Sequence, residues 1–169
     1  AIAIECDVKS NESINNSIEA TISKFNSLNI LINNAQEAPL GNILDVTDES
    51  FINGWSSGPL ATFRFMKASY PHLKGGGKVI NLASSSALRP DSNSYGAYAA
   101  VKESIRSLSR AAAVEWGQDN ILVNCIMPLA KSTGMEWWMN EYPDEANEFL
   151  KTIPLGRVGD CKNDIGEAV

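Results

Sequence analysis

The chain has 169 residues, of which 44% are hydrophobic, and this is the size and apolar content of one globular domain. A net charge of -6 without a basic run argues against nucleic acid as a partner, and no apolar run approaches the roughly 18 residues of a membrane span. We therefore expect a soluble, cytoplasmic domain. The three cysteines are widely spaced and there is one histidine, so we expect free thiols and no metal site.

The first third of the chain predicts two strands and a helix. Residues 1–8 are apolar and partly β-branched, which is typical of a short buried strand. Ser10 can cap a helix whose apolar residues recur every three or four positions, namely Ile14, Ile18, Ile22 and Phe25. Residues 29–32 predict a second strand, which runs into Asn33-Asn34-Ala35.

The middle of the chain continues the alternation of helices and strands. Thr47 and Asp48 can cap a long helix to about Leu73, which Gly58-Pro59 should bend. The remaining elements are a strand over residues 78–83, a helix over 94–116 and a strand over 121–127. This alternation predicts parallel βαβ units, whose ligands bind beyond the carboxyl ends of the strands.

The segment over residues 132–153 differs in character from the rest. Trp137, Trp138, Tyr142 and Phe149 lie among acidic residues there, unlike the pattern of a core helix. We expect this segment to be a lid over a substrate pocket.

Tyr98 and Lys102 are the candidate chemical centre. A spacing of four places a phenol and an ammonium on one helix face, one turn apart. A nearby positive charge lowers the pKa of a phenol, which suits proton transfer near neutrality. This pattern alone is common on helices, so the surrounding motifs have to support it.

Those motifs, in their order along the chain, resemble the classical short-chain dehydrogenase/reductase family. NNAQ from Asn33 matches three positions of the family's NNAG. Ile80-Asn81-Leu82-Ala83-Ser84 is similar to its I-N-x-x-S, and YAAVK from Tyr98 to Lys102 to its YxxxK. Val123-Asn124 with Pro128 resembles its VNxxxPG. The resemblance covers essentially the whole chain and implies a Rossmann-like, doubly wound parallel sheet in a three-layer α/β/α arrangement, with helices on both faces.

The resemblance implies an oxidoreductase that transfers a hydride between NAD or NADP and a ketone or secondary alcohol. Tyr98 would be the general acid and base, Ser84 would polarise the substrate oxygen, and Lys102 would bind the nicotinamide ribose and lower the pKa of the tyrosine. Ser85 remains an alternative to Ser84, because the family's commonest spacing from the tyrosine falls on it. The implied cofactor-binding residues are Asp7, Val8, Asn33, Asn34, Ala35, Tyr98, Lys102, Pro128 and Thr133.

Three positions depart from the family pattern. Gln36 and Leu129 replace glycines, and Trp55 stands where the family commonly has an asparagine that holds a water. These departures favour a second hypothesis, a catalytically weakened or inactive dinucleotide-binding scaffold of the same fold.

Residues 1–169 are expected to be one incomplete NAD(P)-binding domain. The family's glycine-rich TGxxxGIG loop and its final strand have no counterpart here, so we expect the chain to be part of a longer protein, in which the first and second strands of this chain would not be neighbours. The resemblance also implies a homodimer or homotetramer formed through helices 47–73 and 94–116. The aromatic lid suggests an apolar substrate.

Overall fold

The computed structural model describes residues 1–88 and 94–169, which form two compact units, 1–127 and 128–169. The first unit is built on three parallel strands, β1 (Ile30–Asn33), β2 (Lys78–Leu82) and β3 (Leu122–Ile126). They lie side by side in chain order, with Leu31 beside Val79 and Val79 beside Val123. All three carboxyl ends therefore lie at one edge of the sheet.

Four helices of the first unit begin and end close to the predicted positions. They are α1 (Asn11–Phe25), α2 (Asp48–Trp55), α3 (Ala61–Leu73) and α4 (Gly96–Trp116). The side chains of Ser10 and Thr47 accept hydrogen bonds from backbone N–H groups in the first turns of α1 and α2, as their cap positions predict.

The predicted bend in the second helical segment is a π-helical turn over Ser56–Leu60, between α2 and α3. Proline has no backbone N–H and its ring crowds the preceding turn, so Pro59 disrupts the regular hydrogen-bond ladder. The turn is nevertheless well packed, since Ser57, Gly58 and Pro59 are all buried.

The core lies between the sheet and the helices α3 and α4. Side chains from all three strands and both helices form it: Leu31, Met66, Leu73, Val79, Ala112, Ile121 and Val123. Ile30, Ile32 and Leu122 alternate with these core residues along the strands and are each about half exposed. Helix α1 packs against α3 through its buried Ile14 and Ile18, whereas Phe25, at the end of the predicted stripe, is exposed.

The prediction of a strand over residues 1–8 is wrong. This segment has no strand structure, and Ile2 and Ile4 are exposed. A strand needs a neighbour for its backbone N–H and C=O groups, and none of the three described strands pairs with this segment. Apolar composition alone does not supply that neighbour.

The second unit contains the helices α5 (Thr133–Glu141) and α6 (Pro143–Lys151). Trp138 packs edge-on against Phe149 with ring centroids 5.8 Å apart, and Trp137 packs likewise against Tyr142 at 6.3 Å. Only Ala146 of these two helices is buried within the described structure. Across both units, none of the described helices combines the length and apolar character needed to cross a membrane.

Candidate active site

Ser84, Tyr98 and Lys102 come together near the carboxyl end of β2. Ser84 follows the strand by two residues and has extended backbone angles, φ -150° and ψ 151°. Tyr98 and Lys102 lie in the first two turns of α4, which packs against β2 and β3. The parallel sheet thus brings a strand end and a helix start to the same place, as the βαβ pattern predicts.

Lys102 is the charged side chain of this group and is buried, with 6% of its surface exposed. Its Nζ donates a 2.8 Å hydrogen bond to the backbone carbonyl of Leu82, the last residue of β2. Burial lowers the pKa of Lys102 to about 8, against a smaller opposing effect of Cys125. The ammonium keeps two further N–H donors, for which the described part of the chain offers no hydrogen-bond acceptor.

The pKa of Tyr98 is raised, so the prediction that Lys102 lowers this pKa is wrong. Burial of the phenol is the largest cause, and the Ser84 hydroxyl, within hydrogen-bonding reach, partly opposes it. The Lys102 Nζ lies 5.7 Å from the centre of the Tyr98 ring and is engaged with Leu82. The phenol therefore remains protonated near neutral pH and can act as a proton donor.

The two candidate serines occupy different environments. Ser84 is half-buried, and its Oγ accepts a 3.2 Å hydrogen bond from the backbone N–H of Ser86. Ser85 is exposed and begins a short 3-10 turn. The geometry brings Ser84, and not Ser85, into reach of Tyr98.

Asn33 is tied to the sheet by its side chain. Its Nδ2 donates a 2.8 Å hydrogen bond to the Oδ1 of Asn81, which is fully buried on β2. Asn81 in turn donates to the Oγ of Ser109 on α4 at 2.9 Å. This Asn33–Asn81–Ser109 network joins β1, β2 and α4 behind the site. The neighbouring Asn34 and Ala35 are exposed.

Gln36, which departs from the family's glycine, folds its side chain onto the π-helical turn. A Cβ added to Gly58 would lie 3.0 Å from the Gln36 Cδ and 3.2 Å from both terminal atoms of its amide. Both amide atoms are buried without a hydrogen-bond partner in the described structure. The larger side chain is thus accommodated because residue 58 is glycine, a relationship that the sequence pattern did not reveal.

Asp7 and Val8 lie just before α1, where the Asp7 Oδ1 accepts a 2.9 Å hydrogen bond from the backbone N–H of Lys9. Lys9 also forms an ion pair of 2.7 Å with Glu37, beside the Asn33–Gln36 segment. The two predicted cofactor-binding segments of this unit are therefore bridged. Lys9 and Glu37 are 28 positions apart in the chain, so no local sequence pattern predicts their ion pair.

The remaining positions singled out from the sequence belong to other parts of the chain. Pro128 and Thr133 belong to the second unit, where Thr133 is the exposed first residue of α5. Leu129 also belongs to that unit. Trp55 ends α2 with 42% of its side chain exposed. Among the described residues, no three His, Cys, Asp or Glu side chains form a group that could hold a metal ion.

Comparison with known proteins identifies relatives along the whole chain. A family model described as enoyl-(acyl carrier protein) reductase matches residues 1–169. The 12alpha-hydroxysteroid dehydrogenase of Clostridium sp. (strain ATCC 29733 / VPI C48-50) is 40% identical over 168 residues, which are 98% of this chain and 64% of that protein. The 3-oxoacyl-[acyl-carrier-protein] reductase FabG of Chlamydia trachomatis is 30% identical over 155 residues, 90% of this chain and 61% of that protein. The chain thus spans somewhat less than two thirds of these relatives.

Solved structures have the same fold. A protein of Sinorhizobium meliloti 1021, assigned as a short-chain alcohol dehydrogenase, superimposes with a TM-score of 0.91 at 28% identity, over 99% of this chain and 67% of that one. A short chain dehydrogenase of Burkholderia cenocepacia J2315, solved in complex with NADP, gives a TM-score of 0.89 at 23% identity, over 99% of this chain and 67% of that one. These similarities confirm the predicted Rossmann-like α/β class.

Proposed function

This chain belongs to the short-chain dehydrogenase/reductase family, and we propose that the protein containing it transfers a hydride between NAD or NADP and a ketone or secondary alcohol. One observation carries the proposal. Two hydroxyls, of Ser84 and Tyr98, lie within hydrogen-bonding reach of each other, and the buried ammonium of Lys102 follows one helical turn later.

The residues present suit a nicotinamide cofactor. Lys102 is a buried cation whose two remaining N–H donors match the neighbouring hydroxyls of a ribose. The Asn33–Ala35 and Asp7–Val8 segments, which lie next to the two residues of the Lys9–Glu37 ion pair, would hold the rest of the cofactor within this unit. Pro128 and Thr133, which belong to the second unit, remain predictions from the family resemblance. The bound nicotinamide supplies or accepts the hydride.

The chain's own residues handle the proton and the substrate oxygen. In the direction of reduction, Tyr98 gives the proton of its Oη to the carbonyl oxygen as that oxygen gains negative charge. Ser84 donates a hydrogen bond from its Oγ to the same oxygen and so stabilises that charge. Lys102 would hold the ribose hydroxyls of the cofactor. In the direction of oxidation, Tyr98 takes the proton of the alcohol.

Residues 132–153 act as the substrate lid in this proposal, and residues 1–169 belong to one NAD(P)-binding domain. The support for an apolar substrate is the aromatic content of α5 and α6, where Trp137 is 61% exposed. We also propose a cytoplasmic homodimer or homotetramer. Half-exposed or exposed apolar side chains on the helical segment 47–73, such as Ile52 and Phe63, support pairing there.

The decisive experiment uses the purified full-length protein with NADH and NADPH and a panel of ketones and secondary alcohols. We expect turnover of at least one pair, and a Tyr98→Phe variant that still changes the cofactor's fluorescence on binding but loses turnover. Turnover that persists in Tyr98→Phe overturns the proposed role of this residue.

The second candidate is a dinucleotide-binding scaffold, favoured by Trp55 at the position of the family's water-holding asparagine. An indole has no acceptor to replace a carboxamide. A protein that binds NADH or NADPH but converts no member of the panel in either direction is the result that this hypothesis predicts.

A further inference from the structure

Two large apolar side chains project from a loop beside the catalytic helix. Ile43 is 79% exposed and Leu44 is 97% exposed. Scattered apolar residues on a surface need no explanation, but two at the tip of one loop next to a reactive centre do.

The loop that carries them is held firmly at its base. Pro39 is fully buried against α2, where a Cβ on Gly54 would lie 2.6 Å from the Pro39 Cδ. Within the loop, the backbone N–H groups of Asp45 and Val46 both donate to the carbonyl of Asn42, at 2.8 and 3.1 Å. The exposure of the tip therefore belongs to a defined turn.

The other side of the loop is fastened to the start of α4. The Gly41 N–H donates a 2.9 Å hydrogen bond to the carbonyl of Ser94, and the Ser94 hydroxyl donates a 3.2 Å hydrogen bond to the Asn42 Oδ1. A Cβ on Gly96 would lie 3.2 Å from the Ile43 Cγ1, so Ile43 rests on the first residue of the helix. Tyr98 follows only two residues later.

An aromatic ring also lies beside the reacting phenol. The Tyr95 ring, 36% exposed, stands edge-on to the Tyr98 ring with centroids 6.0 Å apart. Ile43, Leu44 and Tyr95 together are here called the apolar wall. It contains no charged side chain, and it begins next to the phenol that would meet the substrate oxygen.

We propose that the apolar wall binds the ring system of a large, steroid-sized alcohol or ketone and so determines substrate specificity; the inference rests on the proposed function. Burying an exposed apolar side chain against a ligand is favourable, and a large apolar ligand covers more of the wall than a small alcohol does. A large apolar ring system gains this contact. The 40% identical relative is named for a substrate of that kind, a 12α-hydroxysteroid.

The test compares a large and a small alcohol in the full-length protein with its preferred cofactor. The probes are deoxycholate, which carries a 12α-hydroxyl on a steroid ring system, and cyclohexanol. The variants are Ile43→Ser and Leu44→Ser. Val114→Ser is the matched control, since Val114 is an 85% exposed apolar residue near the other end of α4.

We expect each wall variant to lower kcat/KM for deoxycholate by about tenfold, with kcat/KM for cyclohexanol and the Tm close to those of the wild type. Val114→Ser should leave both substrates unaffected. Equal losses on both substrates, or no loss on either, overturn the inference.

Two further results distinguish a failure of this inference from a failure of the proposed function, and a bound substrate from a second copy of the chain on the wall. A wild type that oxidises cyclohexanol but not deoxycholate refutes the wall and leaves the Tyr98 chemistry standing, whereas a wild type inactive on every alcohol and ketone refutes the proposed function itself. A wall variant that elutes as a smaller species in size-exclusion chromatography assigns this surface to contact between copies of the chain and also overturns the inference.

Discussion

The ammonium of Lys102 donates to the carbonyl of Leu82, so the last residue of β2 fixes a buried cation one helical turn from Tyr98. The same contact explains why this lysine is held in a site that disfavours its charge. A carbonyl acceptor offsets part of the lost hydration, but burial still lowers the pKa of Lys102 to about 8.

This lowered pKa predicts a pH dependence of stability. The unfolded chain holds the Lys102 proton up to its ordinary pKa of 10.5, whereas the folded protein releases it at about 8. Between these values the unfolded state binds more protons, so the contribution of Lys102 to the free energy of unfolding rises with pH, by at most about 3 kcal/mol.

The measurement is urea unfolding of the wild type and of Lys102→Met between pH 7 and 10.5. The difference between the two proteins removes the titration of groups that do not interact with Lys102, such as Tyr98, whose raised pKa acts in the opposite direction at alkaline pH. Cys125 interacts electrostatically with Lys102, so both proteins carry Cys125→Ser. We expect the stability of the wild type relative to Lys102→Met to increase with pH. A constant difference would contradict the lowered pKa.

Ser84 and Ser85 can be separated by substitution. Ser84→Ala removes a hydroxyl within reach of Tyr98, and we expect kcat/KM to fall by about 100-fold. The loss also raises the pKa of Tyr98 further, which moves the alkaline limb of the pH profile upward. Ser85→Ala, at an exposed position, should stay within about twofold of the wild type. The reverse order of effects would assign the role to Ser85.

The Asn33–Asn81–Ser109 network predicts that substitution of Asn81 lowers the stability of the fold. Asn81→Ala leaves the Nδ2 of Asn33 without its acceptor and the Oγ of Ser109 without a donor, in addition to a cavity. We expect a loss of about 2–3 kcal/mol in the free energy of unfolding. Asn124→Ala is the control on β3, because Asn124 is exposed, and it should change stability by less than about 0.5 kcal/mol.

Gln36 predicts a stabilising substitution. Its buried amide has no partner within the described structure, so an apolar side chain of similar size removes a desolvation penalty without leaving a cavity. We expect Gln36→Met to raise the free energy of unfolding by about 1 kcal/mol and Gln36→Glu, which buries a charge, to lower it. Thermal or urea unfolding at pH 7 measures both. A destabilised Gln36→Met would mean that the amide has a partner after all.

Much of the first unit could be predicted from the sequence because its signals are local. The apolar repeat of α1, the caps Ser10 and Thr47, and Pro59 in the helix break each act over a few residues. The site followed from the motif order in the same way, since parallel strands bring their carboxyl ends to one edge of the sheet. The Tyr98→Phe, Ser84→Ala and Ser85→Ala variants test which of those residues take part in catalysis.

The errors arose where the outcome depends on distant partners. Residues 1–8 have the composition of a strand, but a strand also needs a neighbour, and composition does not specify one. The pKa of Tyr98 depends on how deeply the phenol is buried, which its spacing from Lys102 does not determine. The Gln36–Gly58 contact joins two segments whose proximity only the folded chain reveals.

The order of the strands has a consequence for how the sheet is made. β2 lies beside β1, and β3 beside β2, in the same order as they leave the ribosome. Each strand can therefore add to an edge that already exists, and the helix that precedes it can cover the new pair as synthesis proceeds. The side chain of the fully buried Asn81 has both of its hydrogen-bond partners Asn33 and Ser109 only once β1 has paired with β2 and α4 has packed on the sheet.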